Sequence, residues 1–304
     1  MFRGTSPVVS VGNLAMGGRG KTPVAMEVAR ILVAAGERPA VLSRGYKRRR
    51  REDGVVIVSD GRHILADVER GGDEPMLIAQ RVRGAAVLVC EQRAIAAALA
   101  ETVLGATVHV LDDGFQHRAL ARDVDLVLLS ARDLRDRPLP FGRLREPLRA
   151  LVRADAIISE DELDPHTLPD QSRPRFALRR LLGDPIPLEP DYPWPAGRGP
   201  VVAAAGIAEP ARFTRALEAA GWSVARSVAF SDHQRYGTGD LATLAAAVRE
   251  TGAVGVVTTD KDAVRLLPLR PLPVPIAAIP LDVSIEPAPV FASWLLERVR
   301  HARK

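Results

Sequence analysis

Short apolar runs separated by stretches of helical periodicity dominate the first half of the chain. Runs of four or five apolar residues predict buried strands, and apolar positions three and four residues apart predict amphipathic helices. The predicted strands cover 8–11, 40–43, 86–89, 108–111 and 126–129, and the predicted helices cover 22–35, 74–83 and 92–104. This alternation indicates a parallel sheet with helices on both faces.

A second series of such patterns begins near residue 201 and predicts a smaller α/β unit. Its predicted elements are strands at 201–205, 223–229 and 254–258 and helices at 210–220, 240–251 and 290–300. The segment 186–200 is rich in proline and glycine, which favours a linker. We therefore predict a first domain over 1–185 and a smaller α/β domain over 201–304. The C-terminal helix either stays with the smaller domain or returns to the first.

Composition and charge narrow the classes of protein without selecting one. The 304 residues are 47% hydrophobic and carry a net charge of +5 at pH 7, so the chain can form a sizeable core. The charge suits a polyanion such as a nucleotide, a phospholipid surface or a nucleic acid. Cys90 is the only cysteine, which excludes a disulfide framework and a cysteine-based zinc site. No apolar run approaches the ~20 residues needed to span a bilayer.

The apolar strand at 8–11 opens into a glycine-rich loop that is followed by Lys21, Thr22 and a helix. This order of elements indicates a phosphate-binding loop. Glycines let backbone N–H groups surround phosphate oxygens, Lys21 adds a charge at the β- and γ-phosphates, and Thr22 offers a hydroxyl to Mg²⁺. Ala15 replaces a glycine of the strict pattern, and an ordinary glycine-rich turn is the alternative. The residues assigned to nucleotide binding here are Ala15, Met16, Gly17, Gly18, Arg19, Gly20, Lys21 and Thr22.

Two carboxylates, Asp112 and Asp113, follow the apolar strand at 108–111. In a parallel sheet, ligands collect at the carboxyl ends of the strands, so both side chains are expected near the phosphates and their Mg²⁺. The alternative is a simple Asp-Gly turn, in which aspartate is common. The preceding phosphate-binding loop favours the metal-binding interpretation.

Asp73 stands in the sequence Gly-Gly-Asp-Glu-Pro at the start of a predicted helix. One interpretation makes it the N-cap of that helix, with Pro75 in the first turn. The other makes it a general base near the transferred phosphate. The sequence alone leaves both open.

Two loops supply further candidates. His233 follows Asp232 in the second predicted domain, where a histidine is usually solvated; a functional role requires that domain to fold back over the phosphate-binding loop. Arg145 and Glu146 stand in a Leu-Arg-Glu-Pro segment and are candidates for binding phosphate and metal. The alternative for that segment is a charged helix start.

The segment 47–51 is a run of five cations. Such runs are most often solvated loops, but they also bind anionic lipid or nucleic acid. Because no aromatic residues are interleaved with these cations, lipid is favoured over nucleic acid.

Taken together, these motifs resemble those of the tetraacyldisaccharide 4′-kinase family, the lipid A kinases of Gram-negative bacteria. The family's motifs VGN, GG-x-GKTP, SRGY, GDEP, DDGFQH, LREP, DH and T-[DE]-KDA occur here in the same order. They begin at Val11, Gly17, Ser43, Gly72, Asp112, Leu144, Asp232 and Thr259. A phosphate-binding loop alone is generic, whereas the whole series is specific. The family does not require glycine at position 15.

The resemblance implies a P-loop NTPase-like α/β/α sandwich with a second, smaller α/β domain that closes the active site. It implies transfer of phosphate from ATP, with Mg²⁺, to the 4′-hydroxyl of a tetraacylated glucosamine disaccharide 1-phosphate, giving lipid IVA. By matching motif, Asp73 is the base for that hydroxyl and His233 its partner. The implied metal site comprises Thr22, Asp112, Asp113 and Glu146. The implied phosphate, substrate or pocket residues are Tyr46, Arg93, His117 and Arg145.

The resemblance also implies a peripheral membrane protein that acts at the cytoplasmic side of the inner membrane. Family members usually carry an N-terminal hydrophobic or amphipathic segment, whereas residues 1–6 alone precede the first predicted strand here. Either the anchor is absent, which makes a soluble cytoplasmic protein an alternative, or the chain begins at an internal start. The run 47–51 offers a partial replacement through anionic lipid, at about 1 kcal/mol per basic residue near the surface. We infer no nucleic-acid partner and no obligatory protein partner.

Three other functions compete with this interpretation. A P-loop GTPase or metallochaperone is one, but the nearest guanine-type motif, at 259–262, has the wrong spacing. A non-enzymatic lipid- or nucleic-acid-binding module is another, and it leaves Asp73, Asp112 and His233 unexplained. A kinase of the same fold that acts on a different glycolipid is the third, and the motifs exclude it less well.

Overall fold

The computed structural model describes residues 2–17, 20–46, 48, 50, 52–190, 192, 194 and 199–303. The chain divides into two compact units. The first unit comprises Met1–Arg179 and Val283–Lys304, and the second comprises Arg180–Asp282. The chain therefore leaves the first unit once and returns to it at its C-terminal end.

A nine-stranded sheet forms the centre of the first unit. Its strands are β1 (Val8–Asn13), β2 (Pro39–Ser43), β3 (Val56–Asp60), β4 (Ala86–Val89), β5 (Val108–Asp112), β6 (Val124–Leu128), β7 (Ala156–Ser159), β8 (Arg175–Leu182) and β14 (Leu281–Glu286). They lie in the order β14-β8-β7-β6-β1-β5-β2-β4-β3. All pairings from β8 to β4 are parallel, and β3 is antiparallel to β4. The segments that follow the parallel strands therefore meet at one edge of the sheet.

Helices cover both faces of this sheet. They are α1 (Lys21–Ala34), α2 (Val68–Gly71), α3 (Asp73–Arg81), α4 (Arg93–Leu104) and α8 (Ala288–His301). Helix α4 packs its alanines against the face that carries Leu42 and Leu88. Val41 and Val87 point to the opposite face and are completely buried as well. Burial on both faces explains why these strands are apolar throughout, and the predicted α/β class is confirmed.

The second unit contains a five-stranded sheet in the order β11-β10-β12-β13-β9. Its elements are β9 (Ile186–Pro187), β10 (Val201–Ala205), α5 (Pro210–Ala219), β11 (Val224–Ala229), α6 (Thr238–Thr251), β12 (Val256–Thr259), α7 (Asp260–Leu266) and β13 (Ile276–Ile279). Alternate residues of β10 pack on opposite faces: Val202 packs with Leu244 of α6, and Val201 packs with Leu217 of α5. This alternation is the period of a strand that is covered on both sides.

The ends of the second unit bear on the predicted domain organisation. Strand β9 lies inside the segment predicted as a linker and pairs antiparallel with β13. Helix α8 belongs to the first unit, where Phe291 makes an edge-to-face contact with Phe176 of β8 at a centroid distance of 4.9 Å. The predicted linker residues outside the described part of the chain are 191, 193 and 195–198. The division into a kinase domain and a smaller domain stays a prediction.

Candidate active site

The predicted phosphate-binding loop lies between β1 and α1. Gly20 immediately precedes α1 with a φ of 80°, in the left-handed region that favours glycine. Helix α1 then begins at Lys21, so its N-terminal N–H groups lie at the end of the loop. This is the backbone arrangement that binds phosphate. The predicted loop residues outside the described part of the chain are Gly18 and Arg19.

The first half of this loop is held by the Leu-Arg-Glu-Pro segment. Ala15 forms an isolated antiparallel bridge with Leu144, and the N–H of Met16 donates to the carbonyl of Arg143 at 2.8 Å. The side-chain amide of Asn13 also donates to the carbonyl of Ala15 at 2.7 Å. The segment that carries Arg145 is therefore fixed beside the loop, and its last residue, Pro147, is the N-cap of a short 3₁₀ helix, Leu148–Arg153.

Thr22 and Asp112 form the centre of the predicted metal site. Asp112 is the last residue of β5, which lies parallel to β1, and Thr22 lies in the first turn of α1. The Thr22 hydroxyl donates to Oδ2 of Asp112 at 3.2 Å, and both residues are buried. The Asp112 Oδ1 atom is buried and has no hydrogen-bond partner in the part of the chain that the structure describes.

A divalent cation is the kind of group that such a carboxylate oxygen fits, because Mg²⁺ prefers oxygen ligands. Within the described ranges, no cluster of three His, Cys, Asp or Glu side chains is arranged to hold a metal. Mg²⁺ does not require such a cluster, because it usually binds through one or two carboxylates together with water and phosphate oxygens. Thr22 and Asp112 therefore fit this ion.

The electrostatics of Asp112 identify a residue that the sequence analysis missed. Burial, followed by the neighbouring charges of Glu74 and Asp113, raises the pKa of Asp112 to about 7, while Lys21 opposes the rise. Glu74 stands beside the predicted base Asp73 at the start of α3. The negative charge of Glu74 near Asp112 favours the binding of a cation at this site. The adjacent acidic pair in Gly-Asp-Glu-Pro was the signal available in the sequence.

Asp113 connects two predicted phosphate-binding cations. The Nη1 atom of Arg145 lies 3.0 Å from both carboxylate oxygens of Asp113, and Nζ of Lys21 lies 3.7 Å from Oδ1. Arg145 also donates to Oε1 of Gln116 at 3.2 Å. Asp113 has a φ of 58°, which turns the chain sharply after β5. The structure thus brings together Lys21, Asp113 and Arg145, and their roles toward phosphate and metal stay predictions.

Close backbone packing explains two glycines in these motifs. A Cβ atom on Gly12 would lie 2.5 Å from Cβ of Phe115, and one on Gly114 would lie 2.5 Å from Cβ of Leu111. The Gln116 amide then donates to the carbonyl of Asn13 at 3.0 Å. The absence of side chains at both glycines lets the Asp-Asp-Gly-Phe-Gln-His loop lie directly against β1.

Glu146 has a different environment from the two aspartates. Its carboxylate accepts from Arg118 at 3.2 Å and from Arg153 at 2.9 Å. Partial burial opposes ionisation, but the two arginines hold the pKa of Glu146 below its ordinary value. Its predicted role as a metal ligand remains a prediction, and that role would require exchange of an arginine partner.

Buried Arg93 and half-buried His117 form a polar pair. Arg93 is the first residue of α4 and is 6% exposed, and its Nη1 lies 3.5 Å from Nδ1 of His117. Burial and the nearby charges of Arg93, Arg122 and Arg44 lower the pKa of His117 to about 4, so the ring is neutral at pH 7. Nε of Arg93 and Nε2 of His117 are buried without hydrogen-bond partners among the described residues. This pair is suited to an anion, and its predicted role in binding phosphate or substrate stays a prediction.

Asp73 and Tyr46 lie on the segments that follow the strands. Asp73 is the first residue of α3, and Gly72, with a φ of 88°, is the N-cap. Gly72 therefore takes the N-cap position that one interpretation gave to Asp73, and the Asp73 side chain is half-buried. Tyr46 follows β2 and is 66% exposed, which is compatible with its predicted place in a binding pocket.

His233 lies in the second unit, whereas Asp73 lies in the first. His233 has a φ of 60° in the loop after β11, and its N–H donates to the carbonyl of Gly206 at 3.2 Å. Its Nε2 atom is 3.7 Å from Oδ2 of Asp232. A non-glycine residue in this backbone region usually reflects a local requirement.

Strand β1, the loop, α1 and the carboxylates after the neighbouring β5 place the chain in the class of P-loop phosphotransferases. Comparison with known sequences narrows the class, because residues 2–300 match the family described as Tetraacyldisaccharide-1-P 4′-kinase. The chain belongs to the tetraacyldisaccharide 4′-kinase family, whose members phosphorylate the lipid A precursor at its 4′ position.

Relatives and a solved structure agree with this assignment. The chain is 38% identical to the tetraacyldisaccharide 4′-kinase of Syntrophus aciditrophicus, over 96% of this chain and 84% of the relative. It is 44% identical to that of Anaeromyxobacter dehalogenans strain 2CP-C, over 88% of this chain and 74% of the relative. The fold resembles the crystal structure of "apo" form LpxK from Aquifex aeolicus in complex with ATP, with a TM-score of 0.80, 32% identity and coverage of 98% and 90%.

These comparisons confirm the predicted family, enzyme class and cofactor. The protein is an ATP-dependent phosphotransferase with an alcohol group as acceptor, and Mg²⁺ is the usual partner ion of such kinases. In the described part of the chain, none of the helices has the length and apolar character needed to cross a membrane.

Proposed function

We propose that this chain transfers the γ-phosphate of ATP to the 4′-hydroxyl of a tetraacylated glucosamine disaccharide 1-phosphate. The observation that carries the proposal is the pairing of Thr22 with Asp112 at the end of the glycine-rich loop, in a chain of the 4′-kinase family. Phosphoryl transfer needs positioning and charge neutralisation more than covalent help, and this site supplies both.

Two cations are proposed to neutralise the charge of the transferred group. Lys21 and Arg145 both contact Asp113, so their side chains converge on one point of the site. An anion that arrives there competes with Asp113 for the same donors. Lys21 is proposed to contact the β- and γ-phosphates, and Arg145 to contact the γ-phosphate. Arg93 and His117 offer unpaired donors for a further phosphate or for the sugar.

Thr22 and Asp112 are the residues proposed to hold Mg²⁺, with Asp113 and Glu146 as the further candidates. The ion would neutralise charge on the phosphate oxygens when bound. Glu74 and Asp113 place additional negative charge around Asp112, which raises the pKa of this carboxylate and attracts a cation to it.

Asp73 is proposed to accept the proton of the 4′-hydroxyl, since a sugar hydroxyl is a poor nucleophile without a nearby base. Its position as the first residue of α3, next to Glu74, whose charge acts on Asp112, supports this assignment. His233 is proposed to act as its partner from the second unit. Asp232, 3.7 Å from Nε2 of His233, is the neighbouring carboxylate in the same loop.

The direct test is transfer of ³²P from [γ-³²P]ATP to a tetraacyldisaccharide 1-phosphate in mixed detergent micelles with Mg²⁺. Lys21→Ala should abolish transfer. Asp73→Ala should lower kcat far more than it weakens ATP binding, whereas Asp67→Ala, a matched change at the N-cap of α2, should retain transfer. A near-wild-type kcat in Asp73→Ala would remove Asp73 from catalysis. Transfer only to a different glycolipid would replace the proposed acceptor.

We also propose that the enzyme meets its substrate at the anionic cytoplasmic surface of the inner membrane. The basic run 47–51 supports this through its charge, although positions 47, 49 and 51 lie outside the described residues. Arg50 lies 3.5 Å from the carboxylate of Glu52, so part of the run's charge is already balanced. Sedimentation with liposomes of the wild type and a charge-neutralised 47–51 variant tests this contribution. Equal binding would end it.

A further inference from the structure

The loop at 136–146 displays apolar side chains that the core does not use. Phe141 is 84% exposed, the most exposed large apolar side chain in the described part of the chain, and Leu139 beside it is 50% exposed. Both stand next to Pro140 at the tip of the loop. Exposing a large aromatic side chain forfeits the stabilisation that burial would give it, so the arrangement calls for an occupant.

Hydrogen bonds within the loop hold it in a defined conformation. Asp136 accepts from the backbone N–H groups of Arg137 at 2.8 Å and Arg143 at 3.2 Å, and from Nε of Arg143 at 2.9 Å. The N–H of Leu139 donates to the carbonyl of Leu144 at 2.9 Å, and the N–H of Phe141 donates to the carbonyl of Pro138 at 3.0 Å. These bonds hold the two apolar side chains outward in a defined geometry.

The surroundings of the tip are basic. The segment 132–153 contains seven arginines against three acidic residues. Four of these arginines are exposed and form no side-chain hydrogen bond or ion pair in the described part of the chain: Arg132, Arg135, Arg137 and Arg149. Val152, 58% exposed, adds a third apolar side chain to the same segment. Apolar tips surrounded by unpaired cations complement a bilayer surface that carries anionic headgroups.

The position of the tip relative to the phosphate site gives this surface a purpose. Phe141 and Arg145 are four residues apart, which is at most about 14 Å of extended chain. Arg145 contacts Asp113, and the N–H of Met16 in the phosphate-binding loop donates to Arg143. A bilayer that receives the tip therefore lies within a headgroup's reach of the phosphate-binding cations.

We propose that the loop 136–146 is a membrane-docking element that inserts Leu139 and Phe141 into the headgroup region of an anionic bilayer. The arginines around it bind anionic headgroups, and docking holds the phosphate-binding loop at the surface from which a lipid-linked sugar projects. The inference rests on the proposed function only in that the acceptor is a lipid. It is independent of the basic run 47–51.

Vesicle sedimentation without substrate tests the docking step. Wild type, Leu139→Ser/Phe141→Ser and a matched control, Val103→Ser/Val290→Ser, are compared on phosphatidylcholine vesicles with and without phosphatidylglycerol. Val103 and Val290 are 67% and 57% exposed on α4 and α8, outside this loop. The wild type and the control should bind vesicles that contain phosphatidylglycerol, and the loop variant should bind about 10-fold more weakly or worse. Equal binding by the two double variants overturns the proposal, as does a wild type that ignores phosphatidylglycerol.

Two further measurements locate the contact. Phe141→Trp should gain fluorescence that brominated lipids quench, relative to the wild type with its own tryptophans. Arg137→Gln/Arg149→Gln should flatten the salt dependence of vesicle binding. No added quenching overturns insertion of the tip. If the loop variant instead changes the oligomeric state in solution, the surface binds a second copy and the membrane assignment fails.

Activity separates this inference from the proposed function. The loop variant should transfer phosphate normally in detergent micelles and about 10-fold more slowly when the acceptor is embedded in vesicles. A wild type that is inactive in micelles but binds vesicles through the tip would contradict the proposed function alone. A loop variant with equal rates in both presentations contradicts the docking element alone.

Discussion

The hydroxyl of Thr22 donates to Oδ2 of Asp112 at 3.2 Å, so the first turn of α1 and the end of β5 share a hydrogen bond. The bond is buried and joins two segments that are 90 residues apart in sequence. It leaves Oδ1 of Asp112 buried and without a partner among the described residues, and it places Asp112 against the first turn of α1. A cation bound at Asp112 and a phosphate bound at the start of α1 would therefore be neighbours.

Replacement of Thr22 should impair the metal dependence of the reaction. Thr22→Val removes the hydroxyl and keeps the volume, so the Mg²⁺ concentration for half-maximal activity should rise about 10- to 100-fold. Thr22→Ser keeps the hydroxyl and is the matched control. Titration of activity with Mg²⁺ at saturating ATP measures the effect. A normal Mg²⁺ requirement in Thr22→Val would detach this side chain from the metal site.

Arg145 should not tolerate replacement by lysine. One of its guanidinium nitrogens contacts both oxygens of Asp113 and also Gln116, which leaves the other guanidinium nitrogens for a phosphate, whereas an ammonium has a single donor atom. Arg145→Lys should lower kcat/KM about 10- to 100-fold. The control is Arg118→Lys, because Arg118 is exposed and its ion-pair partner among the described residues is Glu146. Equal activity of the two variants would remove the special role of Arg145.

The local part of the fold was available from the sequence. Strand β5 and helix α1 have clear periodicity, and the positions of Asp112 and Lys21 at their ends follow from the order of the elements. The predicted strand at 8–11 in fact runs to Asn13, because the residues that follow also pair with β6. Signals of this kind depend on neighbouring residues alone, so they survive without knowledge of the fold.

The rest of the site depends on contacts that no spacing encodes. Arg145 and Asp113 are 32 residues apart in sequence. The charge that raises the pKa of Asp112, at the end of β5, comes in part from Glu74 on α3. Strand β9 was hidden in a proline-rich segment because two residues give too short a pattern. The place of α8 in the first unit is decided by its packing on Phe176, which the amphipathic face alone did not specify.

Acid should destabilise the protein through the buried pair of His109 and Glu101. Burial lowers the pKa of His109, and Nε2 of the ring lies 3.0 Å from Glu101. Burial opposes ionisation of Glu101, but hydrogen bonds from the backbone N–H of Ser6, the ring of His109 and Thr5 lower the pKa of Glu101 to about 2. Both pKa values are below those of the unfolded chain. The unfolded state thus binds more protons, and stability falls as pH falls below about 6.5 and again below about 4.5.

Thermal unfolding between pH 7 and pH 5 measures the histidine contribution. His109→Gln should cost about 1–3 kcal/mol at pH 7, because a buried hydrogen bond is disturbed, but its stability should change less with pH over this range. His166→Gln, at an exposed position, should keep the wild-type pH dependence. An unchanged pH dependence in His109→Gln would show that other groups control acid unfolding.

Asp262 should be the most sensitive position of the second unit. Its carboxylate is completely buried and accepts from the Tyr236 hydroxyl at 2.8 Å, the N–H of Gly206 at 3.0 Å and the hydroxyl of Thr259 at 2.6 Å. Arg265 lies 3.4 Å away and is also buried. These bonds connect the ends of β10 and β12 to the loop that carries the candidate partner of the catalytic base.

Removal of the two side chains should therefore differ in magnitude. Asp262→Ala leaves the Arg265 charge buried without its carboxylate and should cost about 3–5 kcal/mol of unfolding free energy. Tyr236→Phe removes one donor to a charged group and should cost about 1–3 kcal/mol. Tyr192→Phe is the control, because Tyr192 is 45% exposed, and it should be silent. Denaturant unfolding, with phosphate transfer from ATP measured in parallel, distinguishes an effect on stability from an effect on activity. If Tyr236→Phe unfolds like the wild type, Asp262 does not organise this loop through the tyrosine.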